Sequence, residues 1–232
     1  MSDPLMQHNT SMDHSSNAET AIVQKKDEPR QHFAWYVLLA LGLAIFIRFF
    51  IAAPYVVSGS SMEPTFDNWD YLITDRLSYD ISPPERGDVV VFCLPNSGEC
   101  SMFQRIVNGE LHAPRTLIKR IIGLPGETVS VLGSEVTISN PAHPEGFILD
   151  EPYLANENLG GPSGVTRTLS EGEYFVMGDN RRVSSDSRVW GVLPQENIVG
   201  QVLVRLFPLS KIGLLPGTVK FPNDPQPSAA AE

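Results

Sequence analysis

Lys119 is the only lysine between Lys26 and Lys211, and it lies inside the apolar run Leu117-Ile118-Lys119-Arg120-Ile121-Ile122. Elsewhere in that stretch positive charge comes from arginine, which keeps its proton at any useful pH; a lysine gives its proton up once desolvated. A lysine among aliphatic side chains is costly unless neutral or paired. Lys119 is therefore a candidate chemical base, and a base needs a group to activate. The segment Ser58-Gly59-Ser60-Ser61-Met62-Glu63-Pro64-Thr65 offers hydroxyls on small residues ahead of a proline that fixes the chain. Its composition equally suits a polar linker. A third piece, Gly178-Asp179-Asn180-Arg181-Arg182-Val183-Ser184-Ser185-Asp186-Ser187-Arg188, concentrates carboxylates, arginines and serines. Taken alone it reads as an Asx-turn loop held by an Asp–Arg pair.

Other chemistries are poorly supplied. Downstream of residue 54 the histidines are His112 and His143, both in proline-flanked loop sequence, and no G-x-S-x-G elbow occurs. A cysteine protease meets the same shortage of histidine. There is no H-E-x-x-H, and no carboxylate–histidine cluster for a metal. The 27 Asp and Glu include no pair singled out by spacing for glycoside hydrolysis. A formal net charge of -10 and a pI near 4.9, without a Lys/Arg cluster, argue against a nucleic-acid partner.

The elements that must position these groups begin with an apolar run, Phe33 to Ala53. About 20 residues at about 1.5 Å each cross a hydrocarbon core of about 30 Å, so a transmembrane helix is expected over 32–53. The run is too long and too apolar all round for an ordinary core helix. It also exceeds a signal-peptide h-region of about 7–15 residues and follows a polar stretch. Arg48, near one end, can snorkel to the headgroups. Lys25, Lys26 and Arg30 precede the run, and after Arg48 the next positive charge is Arg76. The positive-inside rule then puts a disordered tail (1–31) in the cytoplasm and the chain from residue 54 outside.

From 54 to 210 the chain reads as short Val- and Ile-rich strands punctuated by Gly, Pro, Asn and Asp. These are Tyr71–Thr74, Asp88–Phe92, Leu117–Ile122, Thr128–Leu132, Val136–Ile138, Tyr174–Met177 and Ile198–Phe207. The expected fold is mostly β: an antiparallel catalytic sheet with a small inserted cap over about 133–170, then a flexible tail over 211–232. Cys93 and Cys100 are the two cysteines. Their spacing suits a disulfide closing a hairpin loop, and free thiols at the loop ends suit it as well.

Together the pieces resemble the bacterial type I signal peptidases, or leader peptidases, which are Ser/Lys dyad serine proteases. Ser61-Met62-Glu63-Pro64-Thr65 resembles the family's S-M-x-P-T box. Arg86-Gly87-Asp88-Val89-Val90-Val91-Phe92 resembles its R-G-D-V-V-V-F strand. Ile118 to Gly126 resembles the lysine box, and Gly178 to Arg188 with Trp190-Gly191 the G-D-N-R…S-D-S-R-x-W-G box. Four boxes occur in family order, over roughly Arg48 to Pro208.

The resemblance implies a membrane-bound endopeptidase that removes signal peptides from exported preproteins after Ala-x-Ala-like sites, with no cofactor or metal. It implies Ser61 as nucleophile, Lys119 as general base, Ser184 as the residue orienting the lysine, and Asp186, Arg188 and Asp179 as supports. The oxyanion donors would be the Ser61 backbone N–H and, since Gly59 stands where some members carry serine, Ser58 or another backbone N–H. Substrate would meet Tyr55, Val57, Met62, Phe66, Leu72, Leu117 and Ile118, residues that ordinary core packing would also explain. The implied partners are preprotein signal peptides, the lipid bilayer and the secretion translocon. The implied place is the cytoplasmic membrane, crossed once, with the catalytic domain outside. Two other readings fit parts of the pattern: an inactive membrane-anchored β-domain adaptor, and a self-cleaving Ser/Lys repressor.

Overall fold

The computed structural model describes residues 28–46, 52–95 and 116–221. The chain divides into two units, one up to Gly42 and one from Leu43 onward. Helix α1 (Glu28–Phe46) includes the apolar residues Phe33, Trp35, Leu38 and Leu41, all exposed. Among the described residues no helix is long and apolar enough to cross a membrane. The expected helix over 32–53 is corrected at its C-terminal end. The helix begins at Glu28 and is described as far as Phe46, whereas Ala52 and Ala53 lie in strand β1 (Ala52–Val56). The reason is pairing: Ala53 lies opposite Thr74 of β2 (Tyr71–Asp75), and the Thr74 hydroxyl donates to the Ala53 carbonyl at 3.1 Å.

The second unit carries two antiparallel sheets. The remaining strands of the larger sheet are β3 (Val89–Cys93), β4 (Thr116–Gly123), β9 (Glu173–Met177), β10 (Leu193–Pro194), β11 (Ile198–Phe207) and β12 (Gly213–Leu214). Their order is β1-β2-β11-β3-β4-β9-β10, with β12 paired to β11. Two four-residue helices, α2 (Ser78–Ile81) and α3 (Ser187–Trp190), sit in its connections. β3 is an unbroken apolar run because both faces are covered. Val89 and Val91 pack with Val57, Met62, Phe66, Leu72 and Val202, while Val90 and Phe92 pack with Ile121, Tyr174, Val176 and Leu193. β4 pairs with it in register, Val90 opposite Lys119 and Val91 opposite Ile118.

The smaller sheet has the order β7-β6-β5-β8, formed by β5 (Thr128–Leu132), β6 (Glu135–Asn140), β7 (His143–Ile148) and β8 (Val165–Thr168). The expected cap therefore starts earlier, at β5 rather than at 133. Val129, Val131, Val136 and Ile138 alternate inward and join Ile122 and Phe175 of the larger sheet in one cluster. β7 and β8 lie within the stretch expected to be loose; β7 carries Pro144 and Gly146 inside it, which an edge strand tolerates.

The C-terminal boundary moves as well. Residues 211–221, read as the start of a flexible tail, fold back: β12 pairs with β11, and the Leu215 N–H donates to the Leu203 carbonyl at 2.7 Å. Cys93, fully buried at the end of β3, is disulfide-bonded. Its candidate partner Cys100 lies outside the described residues, as do residues 1–27 of the tail expected over 1–31; residues 28–31 of that tail are helical, as the first turn of α1.

Candidate active site

Lys119 Nζ lies 2.6 Å from Ser61 Oγ and donates to the Ile118 carbonyl at 2.8 Å. Each partner is fixed by its own element. Lys119 is carried by β4 between β3 and β9, and is 2 % exposed. Ser61 opens a turn that follows β1. Within that turn the Phe66 N–H donates to the Met62 carbonyl at 2.9 Å, and the Asn180 N–H donates to the Ser61 carbonyl at 3.0 Å. The segment after β9 thereby grips the backbone of the nucleophile candidate. Burial drives the Lys119 amine down to about 8; Asp186 and Asp179 oppose that shift, and Arg188 adds to it. An ammonium out of water has lost solvation it cannot recover from two carboxylates already engaged elsewhere.

That engagement is specific. Asp186 takes Arg188 Nε at 2.8 Å and Nη2 at 2.8 Å, and also accepts from the Gly178 N–H at 3.0 Å. Asp179 takes Arg120 Nε at 2.8 Å and Nη2 at 2.6 Å, and accepts the Thr65 hydroxyl. Both pairs are buried. Bidentate arginine forks of this kind hold geometry as well as charge. The second pair spans three chain segments: the serine turn, β4 and the loop after β9.

Ser184 is 4 % exposed, and its Oγ makes no hydrogen bond among the described residues. A Cβ built on Gly178 would come within 2.2 Å of Ser184 Oγ and 2.4 Å of the Ser61 carbonyl oxygen. Only glycine at 178 lets Ser184 and Ser61 pack this closely. A buried hydroxyl left without a partner next to the backbone of the serine turn is an unused donor and acceptor.

A groove opens on the pair. Tyr55, Val57, Leu72, Leu117, Ile118 and Ser58 line it together with Ser61 and Lys119. Met62 and Phe66 do not line it; they are 1 % and 0 % exposed and pack in the core with Val57 and Leu72. Val56, Val91 and Thr116 line it too and were missed. Register held the signal, since Val91 lies opposite Ile118. β9 pairs with β4 from Arg120 onward, so 116–118 have β3 as their ladder partner among the described residues.

Three further supports escaped the sequence reading. Arg120 is as anomalous in its apolar run as Lys119, and that anomaly was a usable signal. Arg205 of β11 pairs with Asp70 at 3.4 Å, donates to the Thr65 carbonyl at 2.5 Å and stacks over the Phe66 ring at 4.6 Å, so it pins the serine turn. Tyr153 lies under the Arg120 guanidinium, 3.9 Å from its ring centroid, and its neighbour Glu151 pairs with Arg181. Nothing in the local sequence around Glu151 and Tyr153 marks them.

A serine hydroxyl held against a buried, readily neutralised lysine on an antiparallel β frame has the makeup of the Ser–Lys serine hydrolases. The comparisons narrow that class: the sequence model described as "Signal peptidase, peptidase S26" matches residues 30–207. The chain belongs to this signal peptidase family. It is 40% identical over 179 residues to the probable signal peptidase I-1 of Synechocystis sp. (strain ATCC 27184 / PCC 6803 / Kazusa), covering 77% of this chain and 83% of that protein. It is 37% identical over 191 residues to the signal peptidase I of Leptolyngbya laminosa, covering 82% and 86%. With a signal peptidase I of Bacillus amyloliquefaciens it shares 36% over 185 residues, covering 76% and 87%. A crystal structure of a signal peptidase I from Enterococcus faecalis V583 covers 53% of this chain and 98% of that one at 29% identity, with a TM-score of 0.38.

Proposed function

We propose that this chain performs the signal peptidase I reaction, removal of signal peptides from secreted preproteins, with Ser61 as nucleophile and Lys119 as general base. The observation that carries the assignment is the 2.6 Å approach of Lys119 Nζ to Ser61 Oγ, with the lysine buried and its amine near neutrality at about 8. Neutral Lys119 takes the hydroxyl proton as Ser61 Oγ attacks the scissile carbonyl carbon. The tetrahedral oxyanion is met by the Ser61 N–H, with Ser58 at the groove wall as a second donor. Collapse breaks the C–N bond, and the Lys119 ammonium returns its proton to the departing amine. Water, deprotonated by Lys119, then attacks the acyl carbon; the C–Oγ bond breaks, Lys119 returns the proton to Ser61 Oγ, and the signal peptide leaves with its new carboxylate. Ser184, Asp179, Asp186 and Arg188 hold the lysine and the serine turn in place.

The substrate lies extended along residues 116–118 of β4, taking backbone hydrogen bonds as an added strand. Its small side chains face Tyr55, Val57, Leu72 and Ile118, which suits an Ala-x-Ala-like sequence. The apolar run that begins at Phe33 and ends before β1 anchors the chain once in the cytoplasmic membrane, with the N-terminus inside. Trp69, Leu206, Phe207, Leu209 and Leu214 are exposed apolar side chains that can contact the bilayer. The direct test is processing of a preprotein in vesicles. Ser61→Ala and Lys119→Ala should each abolish it while the melting transition persists. Full processing by purified Lys119→Ala enzyme would refute the assignment.

A further inference from the structure

Residues 215–221, beyond the last strand, touch the candidate site from behind. Three contacts define them. The Gly217 carbonyl accepts a hydrogen bond from Arg120 Nη1. The Val219 N–H reaches the Gly87 carbonyl at 3.4 Å, the same oxygen that takes Arg120 Nη1 at 3.0 Å. The Phe221 side chain packs against the cluster that joins the two sheets.

The fit is close enough to need glycine on both sides. Gly217 has φ +79, and a Cβ there would come within 2.4 Å of Thr65 Cγ2 and 3.2 Å of the Phe66 ring. A Cβ on Gly87 would meet the Val219 carbonyl oxygen at 2.0 Å. The segment is therefore inserted between the serine turn (Thr65, Phe66), the lysine strand (Arg120) and the turn before β3 (Gly87).

The connection to the reacting pair is short. Arg120 follows Lys119 in β4, and its fork holds Asp179, which accepts the Thr65 hydroxyl. Thr65 closes the turn that Ser61 opens. Gly217 touches both ends of this chain of contacts, through its carbonyl at Arg120 and through its Cα at Thr65. The guanidinium is itself buried, so an acceptor removed from it is not replaced by water.

We propose that residues 215–221 form a C-terminal strap that positions the Ser61–Lys119 pair, with Gly217 as the positioning residue. The proposal rests on the assignment of that pair as the catalytic dyad. The strap touches no substrate and lines no part of the groove. Its effect is on kcat: it keeps the serine turn and the lysine strand at their working separation.

The experiment is steady-state cleavage of an Ala-x-Ala peptide by full-length variants, each read well below its own melting temperature. Gly217→Ala should lower kcat by about tenfold or more with KM within about threefold, as expected when reacting groups are displaced by an ångström or less. Gly217→Ala combined with Thr65→Ser, which removes the methyl the new Cβ strikes and keeps the hydroxyl for Asp179, should recover part of that loss. Phe221→Ala, which frees the end of the strap without entering the site, should lower kcat in the same sense and decides the matter if Gly217→Ala does not fold. Wild-type kcat in Gly217→Ala and Phe221→Ala, in an assay where Ser61→Ala is inactive, overturns the strap and leaves the dyad standing. Cleavage retained by Ser61→Ala or Lys119→Ala overturns the dyad instead.

Discussion

Ser61 Oγ and Lys119 Nζ meet at 2.6 Å across 58 positions of sequence, and the lysine that closes this contact is almost wholly shielded from water. Shielding gives the pair its chemistry, because a solvated lysine would hold its proton up to about pH 10.4 and could not accept one from serine near neutrality. The same shielding makes the lysine a burden on the fold.

That burden is measurable. The folded-state lysine titrates at about 8 against an ordinary value of 10.5, so between these the unfolded chain binds more protons than the folded one. Stability therefore rises with pH across that window, and the penalty is complete below it. Lys119→Met removes the penalty. The variant should be inactive, more stable by about 1–3 kcal/mol near pH 7, and no more stable than wild type well above pH 10. Urea unfolding at several pH values checks this.

Asp186 opposes the downward shift of Lys119 and also holds Arg188. Asp186→Asn should lower the lysine's titration point further and leave the buried Arg188 guanidinium short of a counter-charge. The expected result is an activity limb displaced to lower pH, with a loss of stability of about 3–5 kcal/mol from the broken buried pair. A pH–rate profile and an unfolding curve on the same preparation read both effects.

Ser184 should behave differently. Its Oγ has no hydrogen-bond partner among the described residues, so Ser184→Ala leaves no group newly unsatisfied and should change stability by less than about 1 kcal/mol. If the hydroxyl orients the Lys119 amine during turnover, kcat falls by about tenfold or more all the same. Loss of activity without loss of melting temperature is the expected signature.

Val56 is 49% exposed at the groove wall. Val56→Trp fills the groove from a position that burdens no core. It should raise KM for an Ala-x-Ala peptide by about tenfold or more, worth about 1.4 kcal/mol, with kcat and melting temperature nearly unchanged. Peptide kinetics with the purified variant checks it.

Much of this was legible in the chain. Lys119 announced itself by composition, and the strand runs Thr128–Leu132 and Ile198–Phe207 were read to the residue because Val and Ile crowd between turn formers. Ala52 and Ala53, the first two residues of β1, merge with the apolar run before them; hydropathy does not distinguish a membrane segment from a strand that pairs with Tyr71–Asp75. Met62 and Phe66 carry apolar side chains next to the nucleophile, yet the turn aims them into the core and leaves Val56 and Thr116 at the groove. Arg205, Tyr153 and Gly217 act through contacts with residues far away in sequence, and such partners leave no local period to read. A single sequence reveals unusual residues more readily than the ordinary ones that hold them.

The most direct test of the central claim is the pH dependence of kcat/KM for a defined Ala-x-Ala peptide cut by the wild-type enzyme. Activity should climb through an ionisation at about 8 and level off above it, because deprotonated Lys119 is the active form. A profile already level by about pH 6, or one that falls as Lys119 loses its proton, would contradict Lys119 as the base.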